Sequence, residues 1–585
     1  MAVGLQTFVG TRAGARPRVI AALLLGLGAT TLFVVGLVAG QPITFPDEVI
    51  YTDAARSLAA GHQIEVAGAP ASMWTYGPVY LVLLAGVFRL APTVHDAYLA
   101  ARALNAVLFT SAAIPIYRIA RQLVTQRASL LLAVVGVVIP GAVYTTKLQT
   151  ESLAYPLVMW TILCILAVVA EPTRQHQLAL IGLLGLAPLV RFELVALIPA
   201  SLLTCFACGQ GPVRARLKQL LPLIGGVVGA TLLMTAVLVA SAERGGNNSH
   251  GVSLGHASPL AFFTQFGGLL AAFDLSAGII PVAVLLMAVA PSRRYDEVHS
   301  WASGRLSTLA FLTLSLALSL AAVGAAYLAG LAPMWRPSPP PDRYLFYALP
   351  PTLIVFARWL ESGAPTNRRL RSIAIVLATA PPLAAGLSVH GDGLVATSNA
   401  LSFMPWMFIR ALAPHPWWLI LLAAYCGACV TLLMRRRPNA RGSVRLVAAS
   451  LALCTLFAFS YVALGSWNAR MHSPPGGWLD AHTDAEVVGV WVKRPTKRQA
   501  FAMWETQVTN ENLRRAYFVE KPDQLGPERK LQRGRNGELL DHGKPLRPRY
   551  VLTSARTRIV GRLVTRSSGL ALYEASAPLR VATDG

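Results

Sequence analysis

Charged residues are scarce in this chain, and their scarcity excludes an ordinary water-soluble protein. Of its 585 residues, 13% are charged and 54% are hydrophobic, whereas a soluble globular chain carries about 25% charged residues. The mean hydropathy is +0.52. Most of the chain is therefore expected to lie in a membrane, in contact with membrane lipid.

Acidic residues and cysteines are also few. The 27 Asp and Glu residues are outnumbered by 51 Lys and Arg, which gives a formal net charge of +24. In a soluble protein this balance would indicate nucleic acid as the partner. In a membrane protein it reflects basic inner loops, so no nucleic acid is expected. All six cysteines lie in apolar segments and are interpreted as packing residues, and the polar C-terminal part has no disulfide bonds.

Nucleotide-binding and zinc-protease motifs are missing as well. The chain has no P-loop, no G-x-G-x-x-G dinucleotide fingerprint and no H-E-x-x-H zinc pattern. An enzyme without these motifs needs an activated substrate, and no nucleotide cofactor is expected.

Long apolar segments are what the sequence does have. They predict a polytopic α-helical membrane protein with about 13 transmembrane helices. A further apolar block at 76–90 is interpreted as an interfacial helix, because a crossing there would put the basic run at 118–127 outside. The predicted spans are 19–40, 97–117, 128–146, 151–170, 177–190, 192–209, 219–242, 276–290, 306–332, 343–360, 372–389, 416–434 and 446–466.

The distribution of charge predicts the topology in a plasma membrane. If the basic N-terminus at 1–18 is cytoplasmic, the inner segments hold 22 Lys and Arg and the short outer segments hold nine. The transmembrane domain is expected at 19–466, with a long first outer loop at 41–96 and another outer loop between Ala242 and Asp274. An odd number of spans places a C-terminal domain, 467–585, outside the cytoplasm.

The C-terminal domain is polar and contains short β-like runs. These runs, separated by turn residues, predict a small mixed α/β or β-rich extracytoplasmic domain. Its excess of basic residues suggests that it holds an acceptor near the first outer loop. The alternative is that it only caps the catalytic loops. The runs lie at 550–553, 559–561 and 570–573.

Carboxylates gather on the outer side, which predicts that the chemistry faces outward. Ionisable groups are costly at membrane depth, so a cluster of them at one face indicates a functional site. Asp47 and Glu48 follow the first span, and partial desolvation would raise a carboxyl pKa and suit it to act as a general base or to hold a cation. The alternative is a solvated pair or a cap for the helix near Asp53. Other outer carboxylates are Glu151, Glu193 and Asp274.

Aromatic and basic residues accompany these carboxylates. Trp74 and Tyr76 are predicted either to stack on a sugar or to form an aromatic belt at the interface. The candidate phosphate ligands are cations near the outer face, since an arginine fork can donate two parallel bonds. The alternative for each cation is contact with lipid headgroups. These candidates are Arg102, Lys147, Arg191 and Arg343.

Together these motifs resemble the GT-C superfamily of integral membrane glycosyltransferases, and within it the protein mannosyltransferase and lipid A aminoarabinose transferase branch. Asp47-Glu48 resembles the acidic catalytic loop of that branch, and Tyr76-Gly77-Pro78 resembles the segment that begins its juxtamembrane helix. The other similar elements are Glu151 at the mouth of the fourth span, Arg191-Phe192-Glu193 and Asp342-Arg343-Tyr344. An outer C-terminal domain is also seen in actinobacterial cell-wall members, and the resemblance makes mannose and arabinose the expected donor sugars.

The resemblance implies a polyprenyl-phosphate sugar donor and transfer to an extracytoplasmic glycan, lipid or protein. Asp47 is then the expected general base, and Glu48 either orients it or helps to hold a divalent cation, Mg or Mn. Glu151 completes the acidic wall. Sugar or acceptor contacts are expected from Tyr51, Trp74, Tyr76, Glu193 and Tyr344. Some relatives carry a basic residue just before the juxtamembrane proline, where this chain has Thr75-Tyr76-Gly77, so the four cations compete for the phosphate.

Two other functions are compatible with a membrane protein of this kind. A transporter or flippase of a polyprenyl-linked or anionic substrate would place charges and broken helices near the midplane, and the predicted spans lack charge there. A non-catalytic scaffold that presents the C-terminal domain does not explain the charged outer motifs.

Overall fold

A computed structural model describes most of the chain. The predicted cytoplasmic segment 1–18 lies outside the described residues. These are 26–35, 46–66, 69–71, 76–242, 258–289, 304–330, 342–362, 368–388, 401–412, 417–435, 440–520, 529–534 and 536–581.

Helices make up nearly all of the described chain as far as His472. The first part, up to the end of the fifth predicted span, contains α1 (Gly26–Val35), α2 (Pro46–Ala59), the two-residue strands β1 (Glu65–Val66) and β2 (Ala69–Pro70), α3 (Pro78–Leu90), α4 (Val94–Ser111), α5 (Ala113–Ala120), α6 (Gln126–Val137), a 3-10 segment (Pro140–Thr146), α7 (Glu151–Ala170) and α8 (Arg174–Val190).

The second part continues in the same style and ends with the longest helix. It contains a 3-10 segment (Phe192–Ala196), α9 (Leu197–Cys208), α10 (Val213–Ala242), α11 (Pro259–Ala277), α12 (Ile279–Val289), α13 (Gly304–Gly330), 3-10 segments (Asp342–Tyr344 and Phe346–Ala348), α14 (Leu349–Ser362), α15 (Arg368–Ser388), a 3-10 segment (Leu401–Phe403), α16 (Met404–Leu412), α17 (Trp417–Met434) and α18 (Ala440–His472).

Several of these helices are suited to a lipid bilayer. Within the described part of the chain, seven helical stretches are long and apolar enough to cross a membrane. Helix α6 with the 3-10 segment that follows it forms an eighth candidate, bent by 49°. The expectation of a multi-pass membrane protein is confirmed. The predicted total of about 13 is not confirmed, since the described parts of the apolar helices α1 and α12 are shorter than the roughly 20 residues that a crossing needs.

Helix α11 departs from the predicted topology. The region between Ala242 and Asp274 was expected to be an outer loop, yet α11 occupies Pro259–Ala277 and is a candidate span. Ser258 caps its first turn by accepting a hydrogen bond from the Ala261 N–H at 3.1 Å. Asp274 was interpreted as a loop carboxylate, but it lies inside this helix and is buried. The predicted span began at 276, after this charged residue, so the apolar stretch that precedes it was assigned to the loop.

The predicted first outer loop, 41–96, holds two of the helices that frame the candidate site. Apolar residues of α2, among them Ile50 and Ala54, pack with Leu81 of α3 in one buried cluster. Gly77 precedes α3 with φ of +73°, and a Cβ at this position would collide with the carbonyl oxygen of Val190. Only glycine accommodates both the left-handed conformation and so close a contact, so this residue joins the start of α3 to the end of α8.

After α18 the chain forms a mixed α/β domain. Its elements are β3 (Val487–Trp491), α19 (Lys497–Thr509), β4 (Leu513–Phe518), β5 (Arg529–Lys530), β6 (Gln532–Arg533), β7 (Leu539–Asp541), β8 (Lys544–Pro545), β9 (Tyr550–Ser554), β10 (Gly561–Ser567) and β11 (Leu570–Ala575). A six-stranded sheet has the order β10-β11-β9-β3-β4-β5, and a separate three-stranded sheet has the order β6-β7-β8. The helix α19 connects β3 to β4, which pair in parallel register, as a βαβ unit requires.

The expected sheet region in the C-terminal domain is confirmed, and of the two predicted compositions the structure has the mixed one. The β-like runs at 550–553 and 570–573 correspond to β9 and β11, which pair antiparallel. The run at 559–561 was placed early, because the strand begins at Gly561. The central parallel strand β3 and the helix α19 were not predicted.

Candidate active site

The adjacent carboxylates Asp47 and Glu48 lie in the first turn of α2. Pro46 begins this helix, and acidic side chains there interact favourably with the helix dipole. Successive residues of an α-helix point about 100° apart, so the two carboxylates face different surroundings. The Asp47 side chain is 41% exposed, whereas Glu48 is fully buried. The desolvation that was expected for this pair therefore falls mainly on Glu48.

Glu48 connects α2 to two other elements of the fold. Its Oε1 accepts a hydrogen bond from the Tyr98 hydroxyl at 2.7 Å and another from the Leu148 N–H at 3.0 Å. A buried carboxylate is tolerated when such donors satisfy it. These bonds fix the first turn of α2 against α4 and against the segment that precedes α7. They leave Asp47 at the exposed edge of the site, which we call the rim.

A buried ion-pair cluster lies next to this turn. Glu151 is the first residue of α7 and Arg191 is the C-cap of α8, and their side chains form an ion pair. The Arg191 Nε also lies 3.1 Å from Oε2 of Glu193, and its Nη1 lies 3.5 Å from Oγ1 of Thr150. Desolvation opposes the charge of Arg191, but the two carboxylates outweigh it and raise the pKa of its guanidinium. The side chain is therefore held in one orientation.

Arg343 joins the rim to this cluster. It belongs to the 3-10 segment Asp342–Tyr344, and its Nη1 donates to Oδ2 of Asp47 at 3.1 Å. The same Nη1 lies 4.0 Å from Oε1 of Glu151. The structure thus brings together five predicted residues from four separate parts of the chain, namely Asp47, Glu151, Arg191, Glu193 and Arg343.

Tyr344 supports both arginines. Its ring centroid lies 5.7 Å from the Arg191 guanidinium carbon and 5.5 Å from that of Arg343, which is the range of cation–π contacts. Three residues on, the buried Tyr347 lies in the electrostatic field of the same cluster. Among the described residues, the Tyr347 hydroxyl has no hydrogen-bond partner. The sequence analysis missed Tyr347, although the i, i+3 spacing from Tyr344 in a helical turn could have indicated it.

Lys147 is buried beside the same carboxylates. Burial lowers the pKa of its ammonium to about 8, while the nearby carboxylates of Glu48 and Glu151 oppose that effect. Its backbone carbonyl accepts a hydrogen bond from Nδ2 of Asn105 at 2.8 Å. Asn105 in turn accepts one from the Tyr80 hydroxyl at 3.1 Å. Neither of these supporting residues was predicted, because a buried asparagine and tyrosine have no distinctive spacing.

The remaining predicted cation and aromatic residues surround this centre. Arg102 is buried on α4, with its guanidinium carbon 5.7 Å from the ring centroid of Tyr98. The ring of Tyr51 lies edge-on to that of Tyr80, 5.5 Å away. Burial and then the Asp47 carboxylate raise the pKa of the hydroxyls of both Tyr51 and Tyr76, so both tyrosines lie near the rim. Trp74 lies outside the described residues.

The described carboxylates do not fit a divalent cation. No group of three or more His, Cys, Asp or Glu residues that could hold a metal ion occurs in the described part of the chain. Oε1 of Glu48 is occupied by two donors and Asp47 faces an arginine, whereas Mg²⁺ prefers about six oxygen ligands. These side chains are therefore arranged for an arginine and for hydrogen-bond donors, not for a metal ion.

Part of the chain that holds this site is similar to a known family of enzymes. A family model for dolichyl-phosphate-mannose-protein mannosyltransferase matches residues 75–239. The matched part, less than a third of the chain, includes Lys147, Glu151, Arg191 and Glu193. Together with the apolar helices it supports a multi-pass membrane glycosyltransferase of the GT-C superfamily that uses a polyprenyl-phosphate sugar donor. No curated protein matches the chain.

Proposed function

We propose that this protein transfers a sugar from a polyprenyl-phosphate donor to an extracytoplasmic acceptor, with Asp47 as the general base. The observation that carries the proposal is the contact between Asp47 and Arg343 at the rim of the buried cluster, 3.1 Å apart. A partly exposed carboxylate beside an arginine supplies the two groups that glycosyl transfer from a phosphate needs, namely a proton acceptor and a ligand for the anionic leaving group.

Arg343 is the proposed ligand of the donor phosphate. Its Nη1 faces the rim, and its position is supported by the Tyr344 ring and the buried Glu151 carboxylate. Arg191 is already paired with two carboxylates, so it is better suited to hold Glu151 and the wall of the site in place. Lys147 is the second candidate for the phosphate, because it is close to the same carboxylates and carries a compact charge.

The chemical step then needs few groups. The acceptor hydroxyl oxygen attacks C1 of the sugar, and its proton moves to the Asp47 carboxylate. The bond between C1 and the phosphate oxygen breaks, and the electron pair leaves with polyprenyl phosphate, whose added negative charge Arg343 neutralises. In-line attack would invert the configuration at C1. Asp47 exchanges its contact with Arg343 for one with the acceptor when the donor phosphate binds.

The aromatic residues at the rim and the family match suggest which donor sugar and which acceptor to test. Tyr51 and Tyr76 lie near Asp47 and are proposed to contact the sugar or acceptor, as are Trp74, Glu193 and Tyr344. Mannose is the first donor sugar to test, because the matching family model describes a mannosyltransferase, and arabinose is the second. The acceptor is proposed to be a cell-wall glycan, a lipid or a protein on the outer face of the plasma membrane, where the C-terminal domain would also lie.

A donor panel tests this function. Purified protein is supplied with polyprenyl-phosphate mannose, arabinose, glucose and galactose, and released polyprenyl phosphate is measured with and without glycan acceptors. Release from one donor, stimulated by an acceptor, is the expected result. An absence of release from all four donors, combined with their movement across the bilayer of proteoliposomes, would contradict the proposal and identify a flippase.

A further inference from the structure

The C-terminal domain contacts the helix that carries Asp47. Ala500, Trp504 and Val508 of α19 are buried in one apolar cluster with Val49 and Ala55 of α2. Because α2 is also packed against α3, it lies between the transmembrane domain and the C-terminal domain. The orientation of α2 therefore depends on contacts with both domains.

Two polar contacts join α19 to α2 across this apolar surface. The Gln507 Nε2 donates to Oδ2 of Asp53 at 2.9 Å, between residues 454 positions apart in the sequence. One turn further, Arg56 donates to the carbonyl oxygens of Asn510 at 3.2 Å and Glu511 at 2.6 Å. These carbonyls directly follow the C-terminal end of α19, where a cation is favourable.

The carbonyl groups that accept hydrogen bonds from Arg56 are held in place by other residues of the C-terminal domain. The Asn510 side chain accepts a hydrogen bond from the Leu479 N–H at 2.8 Å, and it donates one to the Thr506 carbonyl at 2.7 Å. The Asp480 carboxylate accepts a hydrogen bond from the Glu511 N–H at 2.8 Å. Arg56 is buried, and a buried guanidinium is costly unless such acceptors are already positioned.

We propose that the C-terminal domain positions the Asp47 carboxylate through α2, with Gln507 as a positioning residue that acts through Asp53. The proposal rests on the proposed function, in which Asp47 is the general base. Asp47 and Asp53 lie on the same fourteen-residue helix, and a rigid helix transmits a displacement of one end to the other. The domain is then part of the catalytic unit as well as a surface that an acceptor could use.

The test exchanges the partners of the Gln507–Asp53 hydrogen bond. Gln507→Glu places two carboxylates at hydrogen-bond distance in a buried contact. We expect faster hydrogen–deuterium exchange in peptides that cover α2, and a kcat lowered by about tenfold to about a hundredfold, with the donor KM unchanged. Gln507→Glu combined with Asp53→Asn restores a carboxylate–amide pair, in which residue 53 now donates and residue 507 accepts. The exchange rate of α2 and kcat should both return toward the wild-type values.

A control lies on the edge strand β10 of the same domain. Arg562→Gln removes an exposed ion pair with Glu574 on the edge of the sheet, and it should leave α2 exchange and kcat unchanged. If Gln507→Glu fails to fold, as judged by lost protection of β9 and β11, then Gln507→Leu, which removes the bond without adding charge, should produce the same effects in weaker form.

Three outcomes would overturn the proposal. They are wild-type exchange of α2 in a folded Gln507 variant, an unchanged kcat in a variant whose α2 exchanges faster, and failure of the double variant to restore exchange. The exchange measurement does not need turnover. Failure of the donor panel would therefore contradict the proposed function, while α2 exchange would still decide whether Gln507 holds this helix.

Discussion

The buried carboxyl group of Glu505 should make the contact between α19 and α2 sensitive to pH. Glu505 is 2% exposed, and burial raises the pKa of its carboxyl to about 7; the Glu48 carboxylate adds to this effect and a hydrogen bond with Ser473 opposes it. The ordinary value is 4.5. The difference corresponds to about 3 kcal/mol in favour of the neutral form.

The sign of the dependence follows from the raised pKa. The folded protein binds this proton more tightly than the unfolded chain does, so the full contribution to stability is present below about pH 4.5. It is lost as the pH rises toward about 7, since the unfolded chain ionises first. Wild-type protein should therefore become less stable as the pH rises from about 4.5 to about 7. Above this range the folded protein keeps a buried charged carboxylate, which lowers its stability.

The substitution Glu505→Gln removes this titration and keeps the size of the side chain. At pH 8 the variant should melt at a higher temperature than the wild type in detergent, and near pH 4.5 the difference should vanish. Equal melting temperatures of Glu505→Gln and wild type at both pH values would show that the pKa of Glu505 is not raised by folding.

Three further predictions concern the candidate site. Arg343→Ala should raise the donor KM more than the acceptor KM, and Arg343→Lys should restore it only in part because the planar fork is lost; equal donor KM values would assign the phosphate to another cation. Lys147 should lose its charge as the pH rises past about 8. The donor KM should therefore rise above this pH in the wild type but not in Lys147→Gln. If the donor KM depends on pH in the same way in both proteins, Lys147 is not a phosphate ligand. Gly77→Ala should destabilise the protein by at least about 1 kcal/mol, because alanine disfavours φ of +73° and its Cβ would meet the Val190 carbonyl; a wild-type melting temperature would contradict this contact.

The residues of the buried cluster were accessible to sequence analysis because each has a local signal. Glu151 and Arg191 lie at the ends of apolar segments, where a charge is readily noticed, and α7 and α8 occupy the predicted stretches nearly unchanged. Ion pairing then explains why carboxylates and arginines occur together at this depth. Which cation meets which carboxylate was not predictable, since that depends on how helices distant in sequence pack.

Other features had no local signal or a misleading one. Asp274 suggested a loop inside what is the helix α11. Asp47 and Glu48 look equivalent in the sequence, and only the direction of α2 exposes one and buries the other. The contact of Gln507 with Asp53 depends on tertiary packing between residues 454 positions apart, and no periodicity within either helix encodes it.

The central claim is that Asp47 accepts the proton of the acceptor hydroxyl, and the variant Asp47→Asn tests it most directly. The measurement is acceptor-dependent release of polyprenyl phosphate, with donor binding determined separately on the same preparation. We expect kcat to fall by about 10² to 10⁴, while the donor still binds, since Asn keeps the size of the side chain. The exposed Asp96, in the first turn of α4, is the control, and Asp96→Asn should retain wild-type turnover. Near-normal turnover by Asp47→Asn would contradict the account.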